Sequence, residues 1–409
     1  MRRGLCILKR LTVSYKNSEP VPQFARGVVP PKTEWDRPPW NRWSFQHIDA
    51  LLPTAIIECG TKPAHVFPIA KQLPHDLAVC GIDGDASTLA VLLNDTYTDG
   101  FMVLKHGAIV SEQYFNGMDA QTLHLSQSVA KSFTGAAAGI LVGRGMLDVN
   151  APVTDYLPEL STTGWKGATL QHVLDMTTGV RFDENYTDPY SDIGKLDVAC
   201  GWKPIPPGAA PNFNWPASMW DLILGLKDCT RPHGEKFEYR SIETEVLAFC
   251  MERVTGKRLA QIFSDELWQK MGAAENANFA VDGAGFAIAD GGLNACLRDY
   301  ARFGQLILEN GGGLVPAAWL AATRNGIHGR FESRYASTLP GGAYRNMFWI
   351  EAAPSRAFMA RGVFGQLVYI NPETGIVAAK VSSWPDFVSP EFEIATIAAI
   401  HTIEHFLSV

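Results

Sequence analysis

The apolar and polar positions of the chain divide it into regions of different period. Phe101–Lys105 and Ile109–Phe115 are apolar-rich runs on either side of His106-Gly107-Ala108, and a short glycine-bearing turn between two such runs predicts a β-hairpin. Runs near 346–352, 366–371 and 375–383 predict further strands, and residues 389–407 repeat their apolar positions at helical spacing. Residues 124–255 read as mostly helical, interrupted by a long loop at about 179–216. One segment there, residues 135–142 (Gly-Ala-Ala-Ala-Gly-Ile-Leu-Val), is small and apolar throughout and predicts a helix buried in the core. The first 95 residues open proline-rich (Pro20, Pro22, Pro30, Pro31, Pro38, Pro39) and predict an arm that wraps the core. The division expected is therefore an arm at 1–95, a sheet domain from 96–123 and 257–409, and a helical domain at 124–256 that carries the loop 179–216. Neither an internal repeat nor a low-complexity tract is visible.

Composition narrows the class. At 409 residues, 46% apolar and 19% charged, the chain supports a soluble globular enzyme of two domains, or of one domain with a large insertion. No apolar run approaches the ~18 residues of a spanning helix, so a membrane protein is not expected. The N-terminus starts with Arg2-Arg3, but Lys9-Arg10 breaks its apolar run below the ~7–15 residues of a secretory core, which predicts a cytoplasmic protein. A net charge of −7 without a basic run speaks against nucleic acid as a partner. The seven cysteines are scattered and form no C-x-x-C pair, so neither a disulfide framework nor a zinc cluster is expected.

Two short motifs carry chemistry. In Ser128-Val129-Ala130-Lys131 the serine and lysine lie three apart, on one face of a helix, so the lysine can reach the hydroxyl. A serine hydroxyl attacks poorly unless a base takes its proton. Burial would push the lysine down toward the range where it serves as that base. In Tyr239-Arg240-Ser241, a tyrosine hydroxyl beside a lysine can shuttle a proton between the attacking serine and the leaving group. Ser241, two residues on, is placed to hydrogen-bond the lysine or the substrate.

Beyond these motifs, several distant stretches point the same way: Pro38-Pro-Trp-Asn-Arg-Trp-Ser-Phe45, Thr96-Tyr-Thr-Asp-Gly-Phe-Met-Val-Leu104, Val153-Thr-Asp-Tyr-Leu-Pro-Glu-Leu160, Val246-Leu-Ala-Phe249, Glu252-Arg-Val-Thr-Gly256 and Val381-Ser-Ser-Trp-Pro-Asp386. With them the chain resembles the serine β-lactamase and penicillin-binding-protein superfamily, whose S-x-x-K serine is a nucleophile. It most resembles the 6-aminohexanoate-dimer (nylon-oligomer) hydrolase branch, beside family VIII carboxylesterases and class C β-lactamases. The resemblance implies an α+β, β-lactamase-like fold: an antiparallel sheet flanked by helices, an all-helical insertion, and the active site between them. It also implies Ser128 as the acylated nucleophile, Lys131 as its base and Tyr239 as the proton relay. The amides of Ser128 and Val363 would form the oxyanion hole, a role any non-proline side chain permits.

The lysine-threonine-glycine of β-lactamases is absent, which points away from β-lactam turnover. The matching region is Ala360-Arg-Gly-Val-Phe-Gly-Gln366, where Phe364 stands in place of a histidine of the resembled branch and Arg361 in place of an apolar residue. Phe364 is thus expected to bear on substrate choice. Five carboxylates follow Arg181: Asp183, Glu184, Asp188, Asp192 and Asp197. Most read as a solvated loop, but the resemblance implies that Tyr186 bonds the scissile amide and that Asp197 sits near the substrate's ammonium end. His401-x-x-Glu404-His405 spells a zinc signature, yet too few residues follow to supply a third ligand, so no metal is expected. Gly311-Gly-Gly313 reads as a turn, and Asp290-Gly291-Gly292 as a loop shaping the cleft wall.

The expectation is a serine hydrolase for small linear amides or esters that needs no cofactor, takes a small-molecule substrate, and leaves a homodimer as an open option. A carboxylesterase or D-amino-acid peptidase would use the same machinery. A non-catalytic penicillin-binding-like sensor is the reading from outside the enzyme class.

Overall fold

A computed structural model of the chain describes residues 29–326 and 335–408. The basic start Met1–Thr12 with Cys6, and Pro20 and Pro22 of the expected arm, lie outside the described residues. In chain order the strands are β1 Thr54–Ile57, β2 Ala78–Cys80, β3 Ala86–Thr88, β4 Thr98–Lys105, β5 Ala108–Tyr114, β6 Leu123–Leu125 and β7 Ala277–Ala280. They continue with β8 Leu293–Cys296, β9 Ala343–Arg345, β10 Phe348–Ile350, β11 Phe358–Gly362, β12 Gln366–Asn371 and β13 Ile376–Ser382. The helices are α1 Asn41–Ser44, α2 Leu89–Asp95, α3 Val129–Gly143, α4 Val153–Tyr156, α5 Leu170–Leu174 and α6 Asp192–Ala199. After them come α7 Met219–Gly225, α8 Ile242–Thr255, α9 Leu259–Phe263, α10 Leu297–Leu308, α11 Ala317–Arg324 and α12 Pro390–Phe406.

Among the described residues the larger sheet has seven strands in the order β5-β4-β13-β12-β11-β10-β9, all antiparallel. The predicted hairpin is β4–β5. Its turn residues His106 and Gly107 both take positive φ, the geometry that joins twisted strands without splaying them. Helices cover both faces of this sheet. Val368 and Ile370 on β12 face Gly304 of α10, while Tyr369 between them meets Glu404 and His401 of α12 on the other side. Gly304 is required at that crossing, because a Cβ there would lie 2.4 Å from Val377 Cγ1. Buried on two sides, β12 and β13 carry the unbroken apolar runs Leu367–Ile370 and Ile376–Ala379, which is why they stand out in the sequence.

The predicted C-terminal helix is α12, with Ser389 capping Phe392 N and Pro390 in its first turn. Its zinc-like triplet is used otherwise. Glu404 accepts from Asn371 Nδ2 (2.8 Å) and Thr374 Oγ1 (2.7 Å), and His401 Nε2 pairs with Glu351 at 2.7 Å. Among the described residues no group of three or more His, Cys, Asp or Glu is placed to hold a metal.

The N-terminal region does more than wrap. β1 pairs with β7 at the edge of a second, four-stranded sheet of order β1-β7-β8-β6. Asn41 Nδ2 bonds Trp384 O (2.7 Å), and Leu125 N bonds Phe45 O (2.8 Å), so the segment around α1 is tied to both sheets. Beneath it Asp99, fully buried, receives His124 Nε2 (3.0 Å), Asn116 Nδ2 (2.9 Å) and the Arg42 guanidinium (3.6 Å). Among the described residues no helix is long and apolar enough to cross a membrane.

The second sheet positions the site. β6 runs antiparallel to β8 with Leu125 opposite Asn294, and Ser126 N bonds Leu293 O at 2.8 Å. The chain leaving β6 toward Ser128 therefore passes the chain entering β8 from Asp290. The helical region packs behind, with α8 and strands β10, β11 and β12 of the large sheet all against α3.

Candidate active site

Ser128 occupies the N-cap position of α3, at the end of a tight strand-to-helix turn. The turn stores strain: Gln127, a side-chain-bearing residue, sits at φ +48°. α3 is buried along nearly its whole length, so the turn is held rigidly and the half-buried Ser128 faces the cleft. The neighbouring Ser126 is buried and its hydroxyl is spent on Gln127 O.

Lys131, one turn on, points back at the serine, with Nζ 3.0 Å from Ser128 Oγ. The same ammonium reaches Asp290 O (2.8 Å) and Asp290 Oδ2 (3.4 Å). Tyr239 closes the cluster: its hydroxyl is within hydrogen-bonding reach of Ser128 and Lys131, and Lys131 Nζ lies 5.2 Å from its ring centroid. Trp349 stacks on that ring at 5.4 Å. Next along the chain, Arg240 is buried and donates to Thr178 O (2.8 Å), which fixes the backbone carrying Tyr239. Ser128, Lys131 and Tyr239, read separately from two motifs, thus come together.

The protonation differs from the sequence expectation. Burial is the largest influence on Lys131 and does push it down, but the neighbouring Tyr239, Asp290 and Glu184 outweigh it and hold the ammonium above its ordinary value. Burial likewise raises the Tyr239 phenol, with Lys131 opposing. The lysine and the phenol therefore both hold their protons more tightly than free groups do. The pair must release a proton before it can accept the one from Ser128.

Asp290, read from sequence as cleft wall, is part of this cluster. Glu245 holds its loop by accepting Asp290 N (2.9 Å) and Ala289 N (3.2 Å). Burial, and then the charge of Asp290, push the Glu245 carboxyl well above the usual range.

The end of β11 forms the other wall. An added Cβ on Gly362 would lie 2.8 Å from Ser126 O and 3.0 Å from Ser128 N, so only glycine lets the strand approach the nucleophile this closely. The amides of Ser128 and of the next residue, Val363, have no acceptor among the described backbone hydrogen bonds. Both are free to bind a developing oxyanion.

Two cavities meet at Ser128. The larger, about 380 Å³, is mainly apolar and is bordered by Tyr239, Trp349, Leu367, Trp384 and Phe387. Arg361 also borders it, with its guanidinium 4.8 Å over the Trp349 ring and paired with Glu393 and Thr338 Oγ1. The smaller, about 140 Å³, has an acidic lining of Asp36, Asp197, Asp290 and Asp386 against Arg37 and Lys203. Ser128, Tyr186, Val363 and Phe387 border both. Burial first, then Asp36, Asp290 and Glu184, push the Asp197 carboxyl well up, with Lys203 opposing. Phe364 borders the smaller cavity, its ring packed edge-on against Phe45 at 5.1 Å. Ser241 has a different partner from the one expected: its hydroxyl donates to Glu184 Oε1 (2.6 Å), and it borders neither cavity.

Glu184 is the residue that sequence reading missed, having grouped it with the solvated carboxylates. It borders the larger cavity and bonds both Tyr186 and Ser241. Its separation of two residues from Tyr186 was the available signal, since in an extended loop such residues share a face.

A serine at a strained helix start, a lysine and tyrosine on its hydroxyl, and two free amides opposite can form and then hydrolyse an acyl ester. That defines a serine hydrolase site. The β-lactamase family signature matches residues 92–402. The 6-aminohexanoate-dimer hydrolase of Paenarthrobacter ureafaciens is 32% identical over 366 residues, covering 87% of this chain and 89% of that protein. A solved structure from Bacillus anthracis, provisionally described as a 6-aminohexanoate-dimer hydrolase, superposes with a TM-score of 0.83 at 31% identity, over 92% of this chain and 97% of that one. A family VIII carboxylesterase shares the fold at a TM-score of 0.55 and 16% identity, over 74% of this chain and 92% of its own. The chain belongs to the β-lactamase family and is a hydrolase of that fold.

Proposed function

We propose that this enzyme cleaves small linear amides, and esters of the same shape, through an acyl-enzyme on Ser128. The observation that carries the reading is Ser128 Oγ at the junction of two cavities, 3.0 Å from Lys131 Nζ. A linear substrate lies across the junction with its scissile carbonyl at the Ser128 and Val363 amides and Tyr186 beside the scissile bond. Once the Lys131–Tyr239 pair has released a proton, it takes the one from Ser128 as the hydroxyl attacks. The two amides bind the oxyanion. Tyr239 returns the proton to the departing amine or alkoxide, and water repeats the sequence in reverse on the acyl ester. No step calls for a cofactor.

The smaller cavity supports a substrate with a cationic end, as an ω-amino acid oligomer such as 6-aminohexanoate dimer has. Asp197 is half-buried, and no hydrogen bond to its carboxylate is among those described, so an ammonium would restore the charge that burial opposes.

Asp197→Asn is therefore expected to lower kcat/KM for an ω-amino amide by about tenfold or more, as losing a partly desolvated charge-assisted bond does. Its N-acetylated form should change little. An unchanged ratio of the two substrates at low salt would remove the cation subsite, because a screened surface carboxylate contributes almost nothing.

A further inference from the structure

Glu184 gathers the hydroxyl protons of Tyr186, at the cleft, and of the buried Ser241. Its Oε1 accepts from Tyr186 OH at 2.7 Å and from Ser241 Oγ at 2.6 Å, and its Oε2 accepts from Ser241 N at 3.0 Å. The two hydroxyl oxygens are 3.5 Å apart, and each has a single proton to give. With those protons committed to the carboxylate, the Tyr186 oxygen presents only lone pairs to a substrate. Tyr186 is placed to meet one: it is 38% exposed, borders both cavities, and has its ring held 5.7 Å from Phe387.

We propose that Glu184 is a positioning residue that fixes the Tyr186 hydroxyl as a hydrogen-bond acceptor, and so makes the site select secondary amides over esters. A secondary amide offers its N–H to that oxygen. An ester places an ether oxygen there instead, lone pair against lone pair, and leaves the acceptor unmatched. The inference rests on the reading above that the scissile bond crosses the junction at Ser128 beside Tyr186. It is independent of the Asp197 subsite.

Glu184→Gln keeps the shape and inverts the polarity. The Ser241 amide claims the one remaining oxygen, so the carboxamide NH₂ faces the two hydroxyls and donates to them. The Tyr186 proton then turns toward the cleft, where it suits an ester and opposes an N–H.

The test is the ratio of kcat/KM for N-butyl-6-aminohexanamide to that for butyl 6-aminohexanoate, in wild type, Glu184→Gln, Tyr186→Phe and the double variant. Folding is checked by near-ultraviolet circular dichroism and by fluorophosphonate labelling of Ser128. If Glu184→Gln fails that check, Glu184→Ala replaces it with the same expectation. The amide-to-ester ratio should fall about tenfold or more in Glu184→Gln and in Tyr186→Phe, as when a site's polar group loses its matched partner. Adding Glu184→Gln to Tyr186→Phe should leave the ratio unchanged, because the carboxylate acts through the hydroxyl. A ratio that moves in Tyr186→Phe but not in Glu184→Gln overturns the role of Glu184 and leaves the Tyr186 contact standing. A ratio unmoved in Tyr186→Phe overturns both. An effect of Glu184→Gln that persists without the Tyr186 hydroxyl also overturns the proposal, since a purely structural role would behave that way.

Discussion

Ser128→Ala is expected to reduce turnover of amides and esters alike by about three to four orders of magnitude, the loss that follows removal of a covalent nucleophile. The fold should survive, because the hydroxyl packs against nothing in the core: Ser128 is half-buried at the cleft, and its side chain makes no cap bond to α3. The residual rate would come from the free amides and the cavities, which still bind and polarise the substrate. Circular dichroism and thermal melting should match wild type while progress curves with a p-nitrophenyl ester go nearly flat. Retention of a tenth of the activity would mean that another group attacks. Ser126 is a poor substitute, being 1% exposed with its proton given to Gln127 O.

The second large effect is expected at Tyr239, and it should depend on the leaving group. Tyr239→Phe keeps the ring stacked on Trp349 and the cation–π contact with Lys131, and deletes only the hydroxyl that reaches Ser128 and Lys131. An amine departs poorly unless protonated in the transition state, whereas p-nitrophenolate leaves unaided. Amide kcat should therefore fall by about 10²–10³, within the range for a lost general acid. Activated esters should lose much less. Equal losses on an anilide and its p-nitrophenyl ester would remove the leaving-group role of Tyr239, since weaker activation or repositioning of Ser128 would slow both.

How far the sequence carried this picture depended on whether a feature is local. The β4–β5 hairpin, the buried helix α3 and the strands β12 and β13 each declare themselves within one short window. The small sheet does not. β1 and β7 are four-residue segments paired across more than half the chain, too short for any period to register. β11 escaped the periodic reading for a related reason: Arg361 and Gly362 end a five-residue strand whose value lies in its backbone.

The site divided along the same line. Ser128-x-x-Lys131 is one helical turn and was legible. Asp290 and Glu184 reach the cluster only through β6–β8 pairing and the fold of the segment 179–216. Those distant charges also explain why burial failed to lower Lys131: the expectation counted desolvation without the partners that folding brings in. Ser241 was expected to bond the lysine or the substrate, yet its proton goes to Glu184, a residue grouped with the loop surface.

The central claim is that Ser128 becomes acylated, and trapping the acyl-enzyme tests it most directly. The wild-type enzyme would be mixed with excess of a slowly deacylating ester, quenched in acid within the first turnovers, digested, and mapped by tandem mass spectrometry. The account predicts an added acyl mass on the peptide containing Ser128, absent from Ser128→Ala treated in parallel. Full turnover with no adduct on Ser128, or an adduct on a different residue, would contradict it.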